Sequence, residues 1–185
     1  MRTYTDTPAT RFHREFPDIL LRLHSERIPP GQSRVITREI RSAAEVENLF
    51  CAFRATNQRI FVGSGTPNAR PMRIAELIAR LSEIPEHDRV RFSPSHYAEG
   101  GAPLEVQIPA YCVGQDEFLL LDGNHRATAL ALSGRPFKLQ LKVLEAPVDR
   151  KFLFDLKFWD GGLRRFPRRL QGERMRLSQL ESQIS

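Results

Sequence analysis

The chain is short of cysteine, of lysine and of long apolar runs, and each shortage excludes something. Cys51 and Cys112 are its two cysteines, set in the apolar stretches Leu49-Phe50-Cys51-Ala52-Phe53 and Ala110-Tyr111-Cys112-Val113. Buried free thiols are therefore expected, and a zinc motif or disulfide framework is not. No apolar run approaches the ~20 residues of a membrane helix, and Met1-Arg2-Thr3-Tyr4 opens no signal-peptide pattern. The expectation is a cytoplasmic protein with no membrane partner. Lysine is confined to Lys138, Lys142, Lys151 and Lys157, so most of the 28 basic residues, and the net charge of +6, come from arginine. Guanidinium groups favour bidentate contact with phosphate or carboxylate, although a GC-rich genome supplies arginine without that demand.

What remains suits one well-cored domain with appendages: 185 residues, 41% hydrophobic and 27% charged. Residues 1–10 read as a flexible polar terminus, 11–163 as the domain and 164–185 as a basic tail. The N-terminal part, 11–83, reads as helical. Phe12, Phe16, Ile19, Leu20 and Leu23 recur at helical spacing across 11–27, with Pro17 starting the main helix. Ser42 and Glu45 form a capping box ahead of Val46, Leu49, Phe50 and Phe53. Ile60-Phe61-Val62 reads as a short strand entering a glycine-rich loop over 63–70, which lacks the spacing and lysine of a Walker loop.

Pro71 opens a further predicted helix, with Ile74, Leu77, Ile78 and Leu81 on one face. Arg70 and Arg73 then stand at its positive end, as substrate or phosphate contacts or as a solvated basic start. The polar connection 84–101 has the length of a lid and contains His96 and Glu99, without an assigned role.

From Leu104 a sheet is legible. Residues 104–113 are extended, Gly114-Gln115-Asp116 turns, and 117–121 returns as the second strand of a hairpin. Phe137, Leu139, Leu141 and Val143 alternate with Lys138, Gln140 and Lys142, a strand with one buried face, which completes a βαβ-like unit. Phe152, Leu153, Leu156 and Trp159 predict a C-terminal helix before Asp160-Gly161-Gly162. Arg164-Arg165-Phe166-Pro167-Arg168-Arg169 follows, either a grip on nucleic acid or a solvated tail. The fold class expected is α+β.

Chemistry concentrates between strand and helix. Leu119-Leu120-Leu121 reads as a buried strand, Asp122-Gly123-Asn124 as a tight turn, and the Ala/Leu-rich run up to Ser133-Gly134-Arg135-Pro136 as a helix with a glycine cap. The first N–H groups of a helix lack partners and carry the positive end of its dipole, so an anion such as phosphate can dock there. Gly123 permits close approach, Asn124 or Gly123 can be the N-cap, and His125 and Arg126 add donors. A plain turn with solvated His125 and Arg126 is the alternative.

Asp122-Gly123-Asn124-His125-Arg126, followed by small and apolar helix residues and Gly134, resembles the Asp-Gly-x-His-Arg signature of the ParB/sulfiredoxin superfamily, within a stretch of 104–144. The resemblance implies a mixed sheet with flanking helices, here with extra N-terminal helices and a C-terminal helix. It implies nucleotide phosphates on Gly123, Asn124, His125, Arg126 and Thr128, catalytic roles for Asp122 and His125, and Mg²⁺ at Asp122. ATP or ADP is the implied nucleotide, with CTP open. Asn124 stands where sulfiredoxins carry their reactive cysteine, and an amide cannot replace that nucleophile. Asp122 is closer to the free-serine-kinase version, which implies a phosphotransferase acting on a hydroxylated metabolite such as an amino acid. The alternative is a ParB-like nucleotide-sensing protein that engages DNA through its basic tail. Glu99, Glu105 and Glu145 are open candidates for a second carboxylate.

Overall fold

A computed structural model describes residues 6–55, 60–61, 70–97 and 104–158. In chain order the elements are α1 (Pro8–Glu15), β1 (Arg34–Ile40), α2 (Ala43–Glu47), β2 (Phe50–Ala55), β3 (Ile60–Phe61), β4 (Arg70–Arg73), α3 (Ile74–Ala79), α4 (Glu86–Arg89), β5 (Leu104–Gly114), β6 (Glu117–Leu120), α5 (Asn124–Leu132) and β7 (Phe137–Glu145). The fold is α+β, with a seven-stranded mixed sheet ordered β1-β7-β5-β6-β2-β3, and β4 also pairs with β2.

The long strand β5 is the spine. It pairs in parallel with β7 and antiparallel with β6, so the hairpin and the alternating strand form as the sequence predicts. β6 and β7 run in opposite directions on either side of β5, however. The segment from β6 through α5 to β7 is thus not a parallel βαβ crossover: the hairpin reverses the chain first.

Strand side chains alternate between faces, and each face has its own core. Cys51, Phe53, Ile108, Leu120, Leu139 and Leu141 share one core with Ala127 and Leu130 of α5 and with Leu77 of α3. Phe50, Tyr111, Leu119 and Leu121 pack on the other face with Phe12 of α1 and with Leu153 and Leu156. Each fully buried large apolar side chain contributes ~1.5–3 kcal/mol. No helix among the described residues is long and apolar enough to cross a membrane.

Several expectations are corrected. The first helix is α1, beginning at Pro8: Thr7 and Thr10 form a reciprocal capping box, and the helix ends before Pro17. Residues 7–10 are therefore not a loose terminus. Leu21 donates its N–H to the Leu121 carbonyl at 3.2 Å and Leu23 bridges Leu153, so the predicted helical stretch past Pro17 is extended chain with one 3-10 turn at Ser25–Arg27. β1 was not expected. Ser42 does cap α2, accepting from the Glu45 N–H at 3.3 Å, but Phe50 and Phe53 lie in β2. Every residue of β2 is buried, and apart from Arg54 the strand is apolar on both faces and mimics a helix core.

Pro71 lies in β4, and the helix after it starts at Ile74. The connection after Ile84 is α4 with the 3-10 turns Val90–Phe92 and Pro94–Tyr97. A 3-10 turn, Phe154–Phe158, occupies the predicted C-terminal helix. Trp159, the arginine cluster at 164–169, Glu99, the His96 side chain and 62–69 lie outside the described residues.

Candidate anion-binding site at the start of α5

β6 leads buried Leu119 and Leu120 to the turn, and the Leu121 N–H donates to the Pro109 carbonyl at 2.9 Å. Gly123 follows in the left-handed region, φ 75°, ψ 18°. A Cβ there would lie 3.0 Å from three side-chain atoms of Ile108. Glycine is required twice over, by conformation and by space.

Gly123 is the N-cap, and its carbonyl accepts the first helical hydrogen bond from the Ala127 N–H at 2.9 Å. No side chain caps α5, in contrast to α1 under Thr7 and α2 under Ser42. The N–H groups of Asn124, His125 and Arg126 precede that first bond and form the helix's positive end.

The six residues singled out at this turn divide into two groups. Asn124 is 2% exposed, and its Oδ1 accepts from the Ala52 N–H at 2.8 Å, which ties the helix to β2. Thr128 is fully buried, and its hydroxyl donates to the Asn124 carbonyl at 2.8 Å. Neither side chain is free to reach a ligand, so what Asn124 presents at the turn is its backbone N–H. Asp122, Gly123, His125 and Arg126 stay together at the turn. Arg126 reaches the Asp122 carboxylate at 3.3 Å, both side chains about half exposed, 45% and 44%. Such a pair is worth ~0.3–0.5 kcal/mol and is easily opened.

His125 sits deeper. Its ring centroid is 4.4 Å from that of Phe92 and 6.0 Å from that of Phe53, the latter edge-on. Burial lowers the imidazole pKa, Arg91 lowers it further, and Asp88 and Asp122 oppose the shift. His125 is thus a neutral donor and acceptor at neutral pH.

Arg70 and Arg73 are engaged elsewhere. Arg70 pairs with Glu76, while Arg73 donates to the Asn48 carbonyl at 2.6 Å and lies over the Phe50 ring at 4.2 Å. Arg73 is also 3.6 Å from Glu117, at the opposite end of β6 from Asp122. Strand β4 thus directs both arginines to partners within the fold. Glu145 pairs with Arg34, and alternation along β5 puts Glu105 on the face opposite Ile108. The residues that sequence reasoning missed are Asp88, Arg91 and Phe92. A lone aromatic in the charged run Asp88-Arg89-Val90-Arg91-Phe92 was the available signal.

No group of three or more His, Cys, Asp or Glu among the described residues could hold a metal ion. Asp122 is the carboxylate at the turn itself, and Asp88 also acts on the His125 imidazole. No protein-family model, curated protein or solved structure matches the chain.

Proposed function

We propose that this is a nucleotide-dependent phosphotransferase of ParB/sulfiredoxin-like type, acting on a hydroxylated small metabolite such as an amino acid. The observation that supports it is the start of α5, whose first N–H groups have no side-chain cap among the described residues and which carries His125 and Arg126 in its first turn beside Asp122. In this reading the N–H groups and Arg126 hold the phosphates of ATP or ADP. His125, neutral and fixed against Phe92, supplies an uncharged hydrogen bond. Asp122, in the turn just after β6, accepts the proton of the acceptor hydroxyl as the hydroxyl oxygen bonds to phosphorus and the P–O bond to the leaving nucleotide breaks. Magnesium arriving with the nucleotide would neutralise phosphate charge, and Asp122 would be the carboxylate to meet it.

The test is the melting temperature with ATP, ADP, CTP or GTP, each with Mg²⁺, for the wild type and for Arg126→Ala. A ligand at ~100 times its Kd adds ~2.7 kcal/mol. Stabilisation by an adenine nucleotide that Arg126→Ala weakens supports the reading and opens an acceptor screen, in which Asp122→Asn abolishes turnover. A response to CTP alone points instead to the nucleotide-sensing, DNA-binding alternative. No response to any nucleotide overturns both.

A further inference from the structure

α1 and the 3-10 turn Ser25–Arg27 flank a cavity of about 670 Å³ on the face of the sheet opposite α5. Small-molecule sites measure ~300–1,000 Å³. In the cavity wall the Nδ1 of His13 lies 3.0 Å from the Oγ of Ser25. Both residues are held from behind. Phe12, beside His13, packs with Tyr111 and Leu119, and His24, beside Ser25, donates its backbone N–H to the Phe152 carbonyl at 2.7 Å. Ser25 is 4% exposed, so the cavity is where a reagent meets its hydroxyl.

The pair is committed to nothing else. Among the described residues neither side chain has a second hydrogen-bond partner. The acids in the wall are engaged: Asp6 pairs with Arg14, and Glu26 lies 3.5 Å from His24 and 3.8 Å from Arg27. An imidazole with its proton on Nε2 presents Nδ1 as an acceptor, and 3.0 Å is a separation at which a base activates a serine oxygen. A mere tie between α1 and the turn would need this hydrogen bond but not the open space beside it.

We propose that Ser25 and His13 are a nucleophile and its base, and that this cavity is a second site, independent of the phosphotransferase reading, which transfers the acyl group of a small ester to water. The Ser25 oxygen bonds to the carbonyl carbon as its proton passes to Nδ1 of His13. The ester C–O bond then breaks, and His13 returns the proton to the leaving alcohol. Water attacks the acyl-serine in the same way, His13 relaying its proton, and the hydroxyl is restored. Because the charges in the wall are paired, the ester that fits is an uncharged one. No carboxylate among the described residues orients His13, and a dyad without that third group is slow. Covalent capture of the serine therefore reads the site more directly than turnover does.

The experiment treats the full chain with a small alkyl fluorophosphonate, which bonds through phosphorus to an activated serine oxygen with loss of fluoride, and locates the label by mass spectrometry. The proteins are the wild type, Ser25→Ala, His13→Gln and the control His24→Gln. His24 lies edge-on to Phe154 and takes no part in the pair. The native wild type should carry the label on Ser25, and the wild type unfolded in urea should not. His13→Gln keeps an acceptor for the serine hydroxyl but has no base, so it should melt with the wild type and label ~100-fold more slowly or less. His24→Gln should label as the wild type does. Hydrolysis of p-nitrophenyl butyrate by the wild type should fall to background in Ser25→Ala. An unlabelled Ser25 in the native wild type overturns the proposal whatever the variants do. Equal labelling of His13→Gln, or equal ester hydrolysis by Ser25→Ala, overturns it as well, and none of these results bears on nucleotide binding at α5.

Discussion

The Oδ1 of Asn124 accepts a hydrogen bond of 2.8 Å from the backbone N–H of Ala52, joining the first residue of α5 to the strand beside the one that leads into it. The bond is buried, so it fixes where the helix begins relative to the sheet. Asn124→Ala leaves the Ala52 N–H without an acceptor, which should cost ~1–3 kcal/mol in urea unfolding. On the proposed reading, nucleotide affinity should fall as well, because the N–H groups of the helix start are no longer held. An Asn124→Ala protein as stable as the wild type would show that the bond does not anchor the helix.

The C-terminal half of the sheet was legible because local signals agree there. Phe137 to Val143 alternate strictly, Gly114-Gln115-Asp116 turns the hairpin, and Gly134, with φ 63°, ends α5 as a glycine cap does. The N-terminal half was not. β2 is buried on both faces, so Val46, Leu49, Phe50 and Phe53 carry helical spacing although Phe50 and Phe53 belong to a strand. At the site, Asp122 to Arg126 are contiguous and visible in the sequence. The role of Asn124 is set by Ala52, and the environment of His125 by Phe92, partners brought by the fold and not by local spacing.

Gly123 carries two separable demands. A left-handed backbone costs a non-glycine residue ~1–2 kcal/mol, and a Cβ would press on Ile108 at 3.0 Å. Gly123→Ala should therefore destabilise by more than the conformational part alone. In an Ile108→Ala background, where the γ and δ carbons are gone, the same substitution should cost only ~1–2 kcal/mol. The check is a double-mutant cycle by urea unfolding. Equal costs in the two backgrounds would exclude the steric part.

The two thiols should differ in reactivity. Burial pushes the Cys51 pKa up to about 12, and its thiol donates to the Met72 carbonyl at 3.4 Å. Cys112 is only partly buried, with its pKa raised chiefly by desolvation. Since the thiolate is the reacting species, both should be slow. A chromogenic aromatic disulfide should label Cys112 slowly in the native protein and Cys51 only at the rate of unfolding. Rapid labelling of Cys51 under native conditions would contradict its place in the core.

His125 makes stability depend on pH, with a sign fixed by its surroundings. Burial and Arg91 lower its pKa in the folded protein, outweighing Asp88 and Asp122. The unfolded chain therefore takes up a proton near pH 6.5 that the folded chain still refuses. The contribution is fully present above that pH and is lost as pH falls, until folded His125 also protonates. Urea unfolding between pH 7.5 and 5.5 should show the wild type losing stability over this window. His125→Gln should lose less, because glutamine has no proton to take up. The window lies above the usual carboxylate range, so the paired acids should contribute little to the difference. Parallel curves for the two proteins would mean that the Phe92 contact leaves the imidazole free to titrate as it does in water.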